Sequence, residues 1–366
     1  MKLRTFAALS MTVPACAFAQ SSITLYGIID EGLNYTSNQL GSSNIQLASG
    51  FVQGSRFGFR GQEDLGNKFA AIFTLETGYD LSSGKLGQGG RMFGRQAYVG
   101  LRSPWGSVTF GRQYESMLDF LYLFNASQLW GGALFYHAND VDNLGGSVRF
   151  DNSVKFRSVN YRGLSFGSMY AFGGVAGSFG NNSAWSAGVN YILEGTGAGA
   201  AYTHINHPAT AVLNASANSP TYTNVIYGRF LAAASSQDIW GVGASVQLER
   251  VQLLSSYTRT TFHGGSANPD VIFDNAEASV EWTAAPDVQV VGAYTFTLEH
   301  DHGRSVSLHY HELASMADYF LSKRTDLYLQ LAYQISSSSS MAQLESLTAS
   351  SNAHQAAVRL GFRHRF

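Results

Sequence analysis

The chain has 366 residues, of which 45% are apolar and only 13% are charged, and this balance predicts a folded protein because enough apolar surface is available to offset chain entropy. The formal charge of −2, from 23 Lys and Arg against 25 Asp and Glu, offers no cationic surface for phosphate backbones, so no nucleic acid is expected as a partner. No apolar run approaches the roughly 18 residues of a spanning helix, which excludes a helical membrane protein but not a membrane β-barrel.

Residues 1–19 are predicted to be an export signal. A short positive region with Lys2 and Arg4 precedes an apolar stretch that ends in the small-x-small pattern Ala-Phe-Ala at 17–19. We therefore expect the mature chain to begin at Gln20. The only cysteine of the sequence lies inside this segment, so neither a disulfide nor a thiolate metal site is expected in the mature protein.

Beyond the signal, the dominant sequence period is two. In the first predicted strand, apolar Ile23, Leu25 and Ile29 alternate with polar Thr24 and Asp30, and similar alternation returns along the chain. Charges at every second position cannot enter a dry core, because each unpaired buried charge costs several kcal/mol. The opposite face is too apolar to remain in water over so many strands. A closed barrel with lipid outside and water inside satisfies both faces.

The connections predict an all-β barrel of sixteen antiparallel strands, spanning residues 20–366. Tight turns alternate with long connections rich in Gly, Ser and Asn. The tight turns are at 63–66, 103–105, 162–163, 194–196, 249–250, 284–286 and 322–325, and the long connections are 36–50, 81–90, 114–147, 174–183, 205–238 and 338–352. A seventeenth strand candidate, Tyr222 to Ala232, has long connections on both sides and is assigned to a loop. Sixteen strands enclose an open aqueous channel.

Several stretches carry a family resemblance. In chain order they are QSSITLYGIIDEGLNY, SRFGFRGQEDLG, AIFTLETGY, FGRQAYVGL, GSVTFGRQY, DNSVKFRSVNYRGLSFG, LSKRTDLYLQLAYQ and LGFRHRF. They resemble the general porins of β-proteobacteria, the Burkholderia-type outer-membrane porins in particular. The resemblance implies a homotrimer in the Gram-negative outer membrane, in contact with lipid and lipopolysaccharide and without a cofactor. It also implies a water-filled pore for passive diffusion of ions and small hydrophilic solutes, narrowed by an inward-folded third external loop.

The segment 114–147 is expected to be that constriction loop. It combines four acids with many aromatic side chains, and insertion into the lumen would bury the rings and present the acids to the channel. The acids are Glu115, Asp119, Asp140 and Asp142.

Arginines are expected on the opposite wall of the constriction. Arg56 and Arg60 share the polar face of the second strand, and the resemblance places Arg56 and Arg95 on the wall, with Arg149 as a third candidate. Opposed charges create a transverse field that orients water and polar solutes. Arg56 has two alternative roles, facing the vestibule or binding lipopolysaccharide phosphate. Arg95 shares the parity of apolar neighbours, so its pore position requires small apolar residues inside or a bulge.

Ion preference is expected to be weakly anionic. Removal of the signal leaves a charge of −4, from 21 cations minus 25 anions, and the loop acids favour cations as well. The arginines favour anions, and nearby charges should dominate because fields decay over about 8 Å at physiological salt.

Six further residues are predicted to lie on the pore wall, at a trimer interface or in an assembly signal. Asp30, Lys68 and Glu76 lie on the polar face of their strands and are expected on the pore wall. Glu31 and Arg112 lie on the apolar face, where a charge facing lipid is unfavourable, so both are candidates for a trimer interface, and a pore role remains the alternative for Arg112. The terminal Phe366 resembles the signal that outer-membrane assembly machinery recognises, and it also fits an ordinary aromatic girdle residue.

Enzymatic functions are weakly supported. The stretch Gly163–Gly167 matches a nucleophile-elbow pattern, but strand sequence follows where the motif requires a helix. His300, His302, His309 and His311 are interpreted as solvated histidines and not as a metal site. The alternatives to a diffusion channel are an outer-membrane barrel hydrolase or protease, and a substrate-specific channel.

Overall fold

The computed structural model describes residues 22–209, 234–264, 269–303 and 305–366. The predicted export signal at 1–19, the predicted mature start at Gln20 and the loop assignment of Tyr222 to Ala232 lie outside the described residues.

Strands dominate the described ranges and form one antiparallel sheet that closes on itself. Seventeen strands occur there: β1 (Ser22–Gln39), β2 (Ser42–Ser49), β3 (Arg56–Gly66), β4 (Phe69–Gly78), β5 (Gln96–Ser103), β6 (Gly106–Gln113), β7 (Phe150–Ser158), β8 (Leu164–Ala171), β9 (Ala184–Leu193), β10 (Thr196–Asn206), β11 (Ser236–Leu248), β12 (Val251–His263), β13 (Val271–Ala285), β14 (Val288–Asp301), β15 (Val306–Phe320), β16 (Thr325–Ser336) and β17 (His354–Arg365).

The first and last strands close the barrel. β1 pairs with β17 from Ile28 opposite Arg365 to Thr36 opposite Ala357. On its other edge, β1 pairs with β3 near its start and with β2 near its end. β2 and β3 therefore share one position in the wall, and the barrel has the predicted sixteen strand positions within the described ranges.

The two faces of the wall differ in polarity, as the period of two predicts. Outward side chains include Ile23, 70% exposed, and Leu313, 61% exposed. Inward positions carry polar groups such as Thr258 and Asn275, which are buried. An apolar outer surface of this extent has to be covered by lipid or protein.

Two connections differ from the sequence prediction. The long connection expected at 36–50 is a hairpin, because β1 continues to Gln39 and β2 begins at Ser42. Lys68 does not lie on the pore wall, so that prediction is wrong. It lies exposed in the turn between β3 and β4 with a φ of +66°. The alternating pattern continues through the turn, and the sequence alone does not reveal where the chain reverses.

Short helical segments fill the longer connections. They are α1 (Gly87–Gly90), α2 (Ser116–Leu121), the 3₁₀ segments Tyr122–Phe124, Gly132–Phe135 and Ala138–Asp140, and the π-helical Ser127–Gly131. Among the described residues, none of these helices is long and apolar enough to cross a membrane. All except α1 belong to the segment 114–147, which we call loop 3.

Loop 3 folds into the barrel, as predicted, and packs against its inner wall. Met117, Leu121 and Phe124 are buried against residues of β10 and β11. Farther along, the Gln330 amide of β16 donates a 2.6 Å hydrogen bond to the Gly131 carbonyl. The Ala133 amide donates a 2.7 Å bond to the Phe51 carbonyl, in the segment 50–55 that links β2 to β3. Loop 3 therefore contacts well-separated strands of the wall and narrows the lumen.

Candidate channel constriction

A cavity of about 560 Å³ lies between loop 3 and the barrel wall. Its lining comes from β1, β3, β4, the connection from β4 to β5, the start of β5, the segment 50–55, loop 3 with the residues that join it to β7, and the loop between β16 and β17. Among the described residues, its charged lining consists of four arginines and two glutamates: Arg56, Arg60, Arg95, Arg149, Glu76 and Glu345. The structure thus brings together all four arginines and one wall acid that the sequence analysis singled out.

Glu76 of β4 organises two of the arginines. The Arg95 Nε donates to Glu76 Oε1 at 2.8 Å, and Arg56 Nε lies 3.7 Å from Oε2. The Tyr26 hydroxyl donates a further 3.0 Å hydrogen bond to Oε2. Glu76 and Arg56 belong to neighbouring strands, which places Glu76 opposite Gly58 and Arg56 opposite Gly78. Both guanidinium groups are therefore held at the wall while remaining next to the cavity.

Tyr114, the first residue of loop 3, hydrogen-bonds to two of the arginines and so links Arg95 to Arg149. Its hydroxyl oxygen accepts hydrogen bonds from Arg95 Nη2 at 3.0 Å and from Arg149 Nη2 at 2.8 Å. The Arg149 guanidinium also lies over the Tyr114 ring, 4.8 Å from its centroid. Burial raises the pKa of Tyr114, but Arg149 and Arg95 lower it by more, so its pKa lies below the ordinary value. Arg60 lies similarly over the Tyr26 ring, at 4.9 Å.

The four acids of loop 3 do not line this cavity, and the prediction that they do is wrong. Asp119 faces β7, where Lys155 Nζ lies 2.8 Å from its Oδ2. Asp140 is buried and accepts the backbone amides of Gly145 at 2.7 Å and Ser147 at 2.9 Å. Asp140 is held within the loop and Asp119 is paired with the wall, and neither lines this cavity.

Glu115 is also buried, at the N-terminus of α2. It accepts hydrogen bonds from the Met117 amide, from the Asn143 side chain at 2.8 Å and from the Thr203 hydroxyl of β10 at 2.8 Å. Burial raises the pKa of Glu115 to about 7, although these donors favour its ionised form. The residue therefore caps the helix and connects it to the wall.

Asp142 belongs to a buried cluster that the sequence analysis did not identify. The His137 Nδ1 lies 2.5 Å from Asp142 Oδ2, and its Nε2 lies 3.2 Å from Glu277 Oε2 on β13. Burial lowers the pKa of His137, but the two carboxylates raise it by more, well above the ordinary value. Glu277 further accepts the Asn125 side chain at 2.6 Å and the Ala126 amide at 2.8 Å. An imidazolium between two acids thus anchors loop 3 to the wall.

Asp30 faces inward but does not line the cavity, so its prediction as a pore-wall residue is also wrong. It is fully buried beneath the segment 50–55, whose Val52 and Gln53 amides donate to Oδ2 at 3.1 and 2.9 Å. Its other oxygen lies 2.8 Å from Arg359 Nη2 of β17. The sequence pattern identifies the inward face but not the chain segment that covers it.

The remaining predicted residues lie on the outer surface or at its edge. Glu31 accepts a 3.0 Å hydrogen bond from the Ser82 hydroxyl of the connection between β4 and β5. Arg112 is buried beside Asp151, at 2.7 Å, in an outward depression that Phe110 also lines. The Phe366 amide and carbonyl pair with Gly27 at 3.0 and 3.1 Å, and its ring is exposed.

His300 at the end of β14 and His311 within β15 hydrogen-bond to neighbouring side chains. His300 Nδ1 lies 2.8 Å from the Ser307 hydroxyl, and His311 Nδ1 lies 2.7 Å from the Tyr294 hydroxyl. Within the described ranges, no group of three or more His, Cys, Asp or Glu side chains could hold a metal ion.

Comparison with known proteins relates the chain to one family. The family model of the Gram-negative porins matches residues 5–339. An outer membrane porin protein of Bordetella pertussis is 32% identical over 289 residues, which cover 72% of this chain and 71% of that protein. Outer membrane porin protein 32 of Delftia acidovorans is 31% identical over 47% of this chain and 50% of its own length.

The chain superposes on the solved structure of an anion-selective porin from Comamonas acidovorans with a TM-score of 0.75. The superposition covers 95% of this chain and 100% of that porin, and the two sequences are 21% identical. This likeness supports the sixteen-stranded fold. The family match and the Bordetella relative confirm the resemblance found in the sequence. The chain belongs to the Gram-negative porin family and is an integral outer-membrane β-barrel that forms a channel for passive diffusion.

Proposed function

We propose that this porin is a general diffusion channel with a preference for anions, and that Arg56, Arg60, Arg95 and Arg149 set the field at its constriction. The observation that supports the proposal is the charge of the cavity lining. Four arginines minus two glutamates give +2 among the described lining residues when both glutamates are ionised, while the four acids of loop 3 are directed elsewhere.

The local charge should outweigh the net negative charge of the chain. Charges beyond about 8 Å are largely screened at physiological salt, whereas an ion in the constriction passes close to the arginines. Apolar solutes gain little from such a wall because they cannot exchange their hydration for contacts with it.

The assembly of the protein is part of the same proposal. We expect a homotrimer in which Glu31 and Arg112 face a neighbouring subunit, surrounded by lipid and lipopolysaccharide. The exposed ring of Phe366, at the end of the last strand, is available for recognition by the outer-membrane assembly machinery. Family membership favours a channel over the hydrolase or protease, and the polar lining provides no feature that favours a substrate-specific channel.

The test is a planar-bilayer recording of the purified protein across a KCl gradient. We expect large conductance steps, in groups of three for a trimer, and a reversal potential that indicates chloride preference. A unit charge about 8 Å from an ion in water contributes about 0.5 kcal/mol, so Arg56→Ala should lower the chloride-to-potassium permeability ratio roughly twofold or more.

Arg324→Ala is a matched control, because Arg324 is exposed in the turn between β15 and β16. It should leave the ratio unchanged. Folded protein that shows no conductance would overturn the channel assignment. A preference for potassium that Arg56→Ala does not alter would overturn the proposed role of the arginines.

A further inference from the structure

The loop between β16 and β17 also folds into the barrel. Its Leu344 and Leu347 are buried in a cluster that includes Phe51 of the segment 50–55 and Leu134 of loop 3. The Leu344 amide donates a 2.8 Å hydrogen bond to the Gln355 side chain of β17. This loop, which we call the last loop, is therefore packed in place and positions the residue that follows, Glu345.

Glu345 lines the same cavity as the four arginines, yet its environment differs from that of Glu76. Glu76 lies between Arg95 and Arg56 and is neutralised by them. Glu345 is only 6% exposed, and no ion pair with another described residue involves it. It is thus an acid on the pore lining whose charge is not already compensated by a contacting cation.

We propose that Glu345 is a specificity-determining residue of this channel, because its carboxylate, when ionised, adds a negative charge to the arginine-lined cavity and weakens the preference for anions. This inference rests on the proposed anion preference and extends it to the last loop. Neither the composition of loop 3 nor the alternation of the strands indicates such a role for a residue at this position.

The groups around Glu345 are mostly acidic. Loop 3 contributes Asp140 and Tyr136, β15 contributes Glu312, and Arg149 lines the same cavity. Burial, together with the charges of Asp140 and Glu312, raises the pKa of Glu345 to about 8, although the Ser346 amide lowers it. Burial also raises the pKa of Tyr136, so that its phenol stays neutral below strongly alkaline pH.

These surroundings fix the sign of the pH dependence. Below about pH 8 Glu345 is protonated, and the described lining carries four positive charges and one negative charge, a net of +3. Above this pH the carboxylate ionises and the net falls to +2. Anion preference should therefore be greatest at neutral and acidic pH and should decrease as the pH rises through 8.

The test compares reversal potentials of the wild-type protein and Glu345→Gln between pH 6 and pH 9.5, in KCl gradients. We expect the chloride-to-potassium permeability ratio of the wild type to fall roughly twofold across this range, as for one unit charge near the ion path. Glu345→Gln should keep the high ratio throughout, and Glu345→Asp should restore a pH dependence. Glu63→Gln, at an exposed position of β3, is the control and should behave as wild type.

Asp140→Asn tests whether the neighbouring acid causes the pH dependence instead of Glu345. This control is needed because burial raises the pKa of Asp140 to about 7, close to that of Glu345. If the titration disappears in Asp140→Asn but persists in Glu345→Gln, the role of Glu345 is overturned. If the wild type prefers anions but shows no pH dependence, the role of Glu345 is also overturned, while the proposed anion preference stands. If the wild type shows no anion preference at any pH, both proposals fail. Gel mobility without heating verifies that each variant is folded.

Discussion

Glu76 differs from the acids of loop 3 in where its carboxylate lies relative to the cavity. Glu76 lies on the pore lining and arranges the arginines around it. Glu115, Asp140 and Asp142 lie behind the lining, where they accept hydrogen bonds from backbone amides, hydroxyls and a histidine. A buried carboxylate without such partners would be strongly destabilising. These acids therefore hold loop 3 in its conformation, while the arginines on the lining carry the proposed field of the channel.

The histidine anchor of loop 3 leads to a prediction. His137→Ala removes the cation between Asp142 and Glu277 and leaves two buried acids without a neutralising charge. Removal of one partner of a buried pair typically costs about 3–5 kcal/mol. We expect loop 3 to detach from β13 in this variant, with noisier single-channel currents and faster proteolytic cleavage of the loop in the folded barrel.

The sign of the pH dependence follows from the raised pKa of His137. The histidine contributes its full stabilisation below its unfolded-state pKa of about 6.5, and the contribution is lost as the pH rises through the higher folded-state value. The wild-type loop should therefore loosen only at alkaline pH. His302→Ala, at an exposed turn position, should not alter the current noise. A quiet channel in His137→Ala at neutral pH would contradict the anchor.

The grouping of the arginines around one cavity could be predicted from the sequence, whereas the partners of the loop acids could not. Arg56 and Arg60 lie on a strand, where parity alone distinguishes the inner from the outer face. Loop 3 has no such parity, so the composition of the segment does not show whether Asp142 faces water or the wall. Glu277 has inward parity on β13, but its role depends on a contact with a residue 140 positions away.

At the scale of elements, the narrow part of the lumen depends on two chain segments that meet inside the barrel. The segment 50–55 leaves the wall between β2 and β3 and inserts Phe51 and Val52. Loop 3 contacts it through the hydrogen bond from Ala133 to Phe51. Gly132 lies at this contact with a φ of +60°, where a Cβ would overlap the Phe51 carbonyl oxygen and the Val52 backbone.

Gly132→Ala should therefore separate loop 3 from the segment 50–55. Both neighbouring atoms belong to the backbone and cannot move aside as a flexible side chain could, and the positive φ adds strain for any residue with a Cβ. We expect a wider constriction, seen as a higher single-channel conductance. The matched control is Gly174→Ala, since Gly174 has a similar φ of +66° but nothing within 4 Å of its Cβ position. Equal conductance in the two variants would show that the contact does not set the pore width.

Alternation and the spacing of connections predict the number of strand positions in the wall, but they do not predict where each strand begins and ends. β2 (Ser42–Ser49) has the composition of a polar loop. It is nevertheless a strand of the wall, because its backbone pairs with that of β1. Lys68 fits the alternating pattern of β4, although it lies in the turn where the chain reverses between β3 and β4. Both differences arise because backbone pairing between distant segments decides the boundary.

At the scale of the whole molecule, the barrel is held closed at the seam between β1 and β17. Arg359 of β17 is fully buried and donates to Asp30 and to the Asn34 side chain of β1, at 2.8 and 2.6 Å. Its Nη1 also donates to the Ala48 carbonyl of β2 at 2.9 Å, and its Nε donates to the Tyr328 hydroxyl of β16 at 2.8 Å. One guanidinium thus joins the first strands of the chain to the last.

The seam predicts a strong effect of a single substitution on the stability of the barrel. Arg359→Met keeps much of the volume of the side chain but leaves Asp30 buried without its cation. We expect a loss of about 3–5 kcal/mol in the free energy of unfolding. The measurement is denaturant unfolding of the purified barrel, followed by the gel mobility of unheated samples.

The double variant Asp30→Asn/Arg359→Met decides whether the charge pair itself is the cause. Because replacement of both charges removes the uncompensated acid, the double variant should lose less stability than the sum of the two single variants. Arg324→Met, at an exposed turn, should unfold as the wild type does. Additive losses would instead show that Asp30 and Arg359 act separately, and closure would then depend on the backbone pairing of β1 with β17 alone.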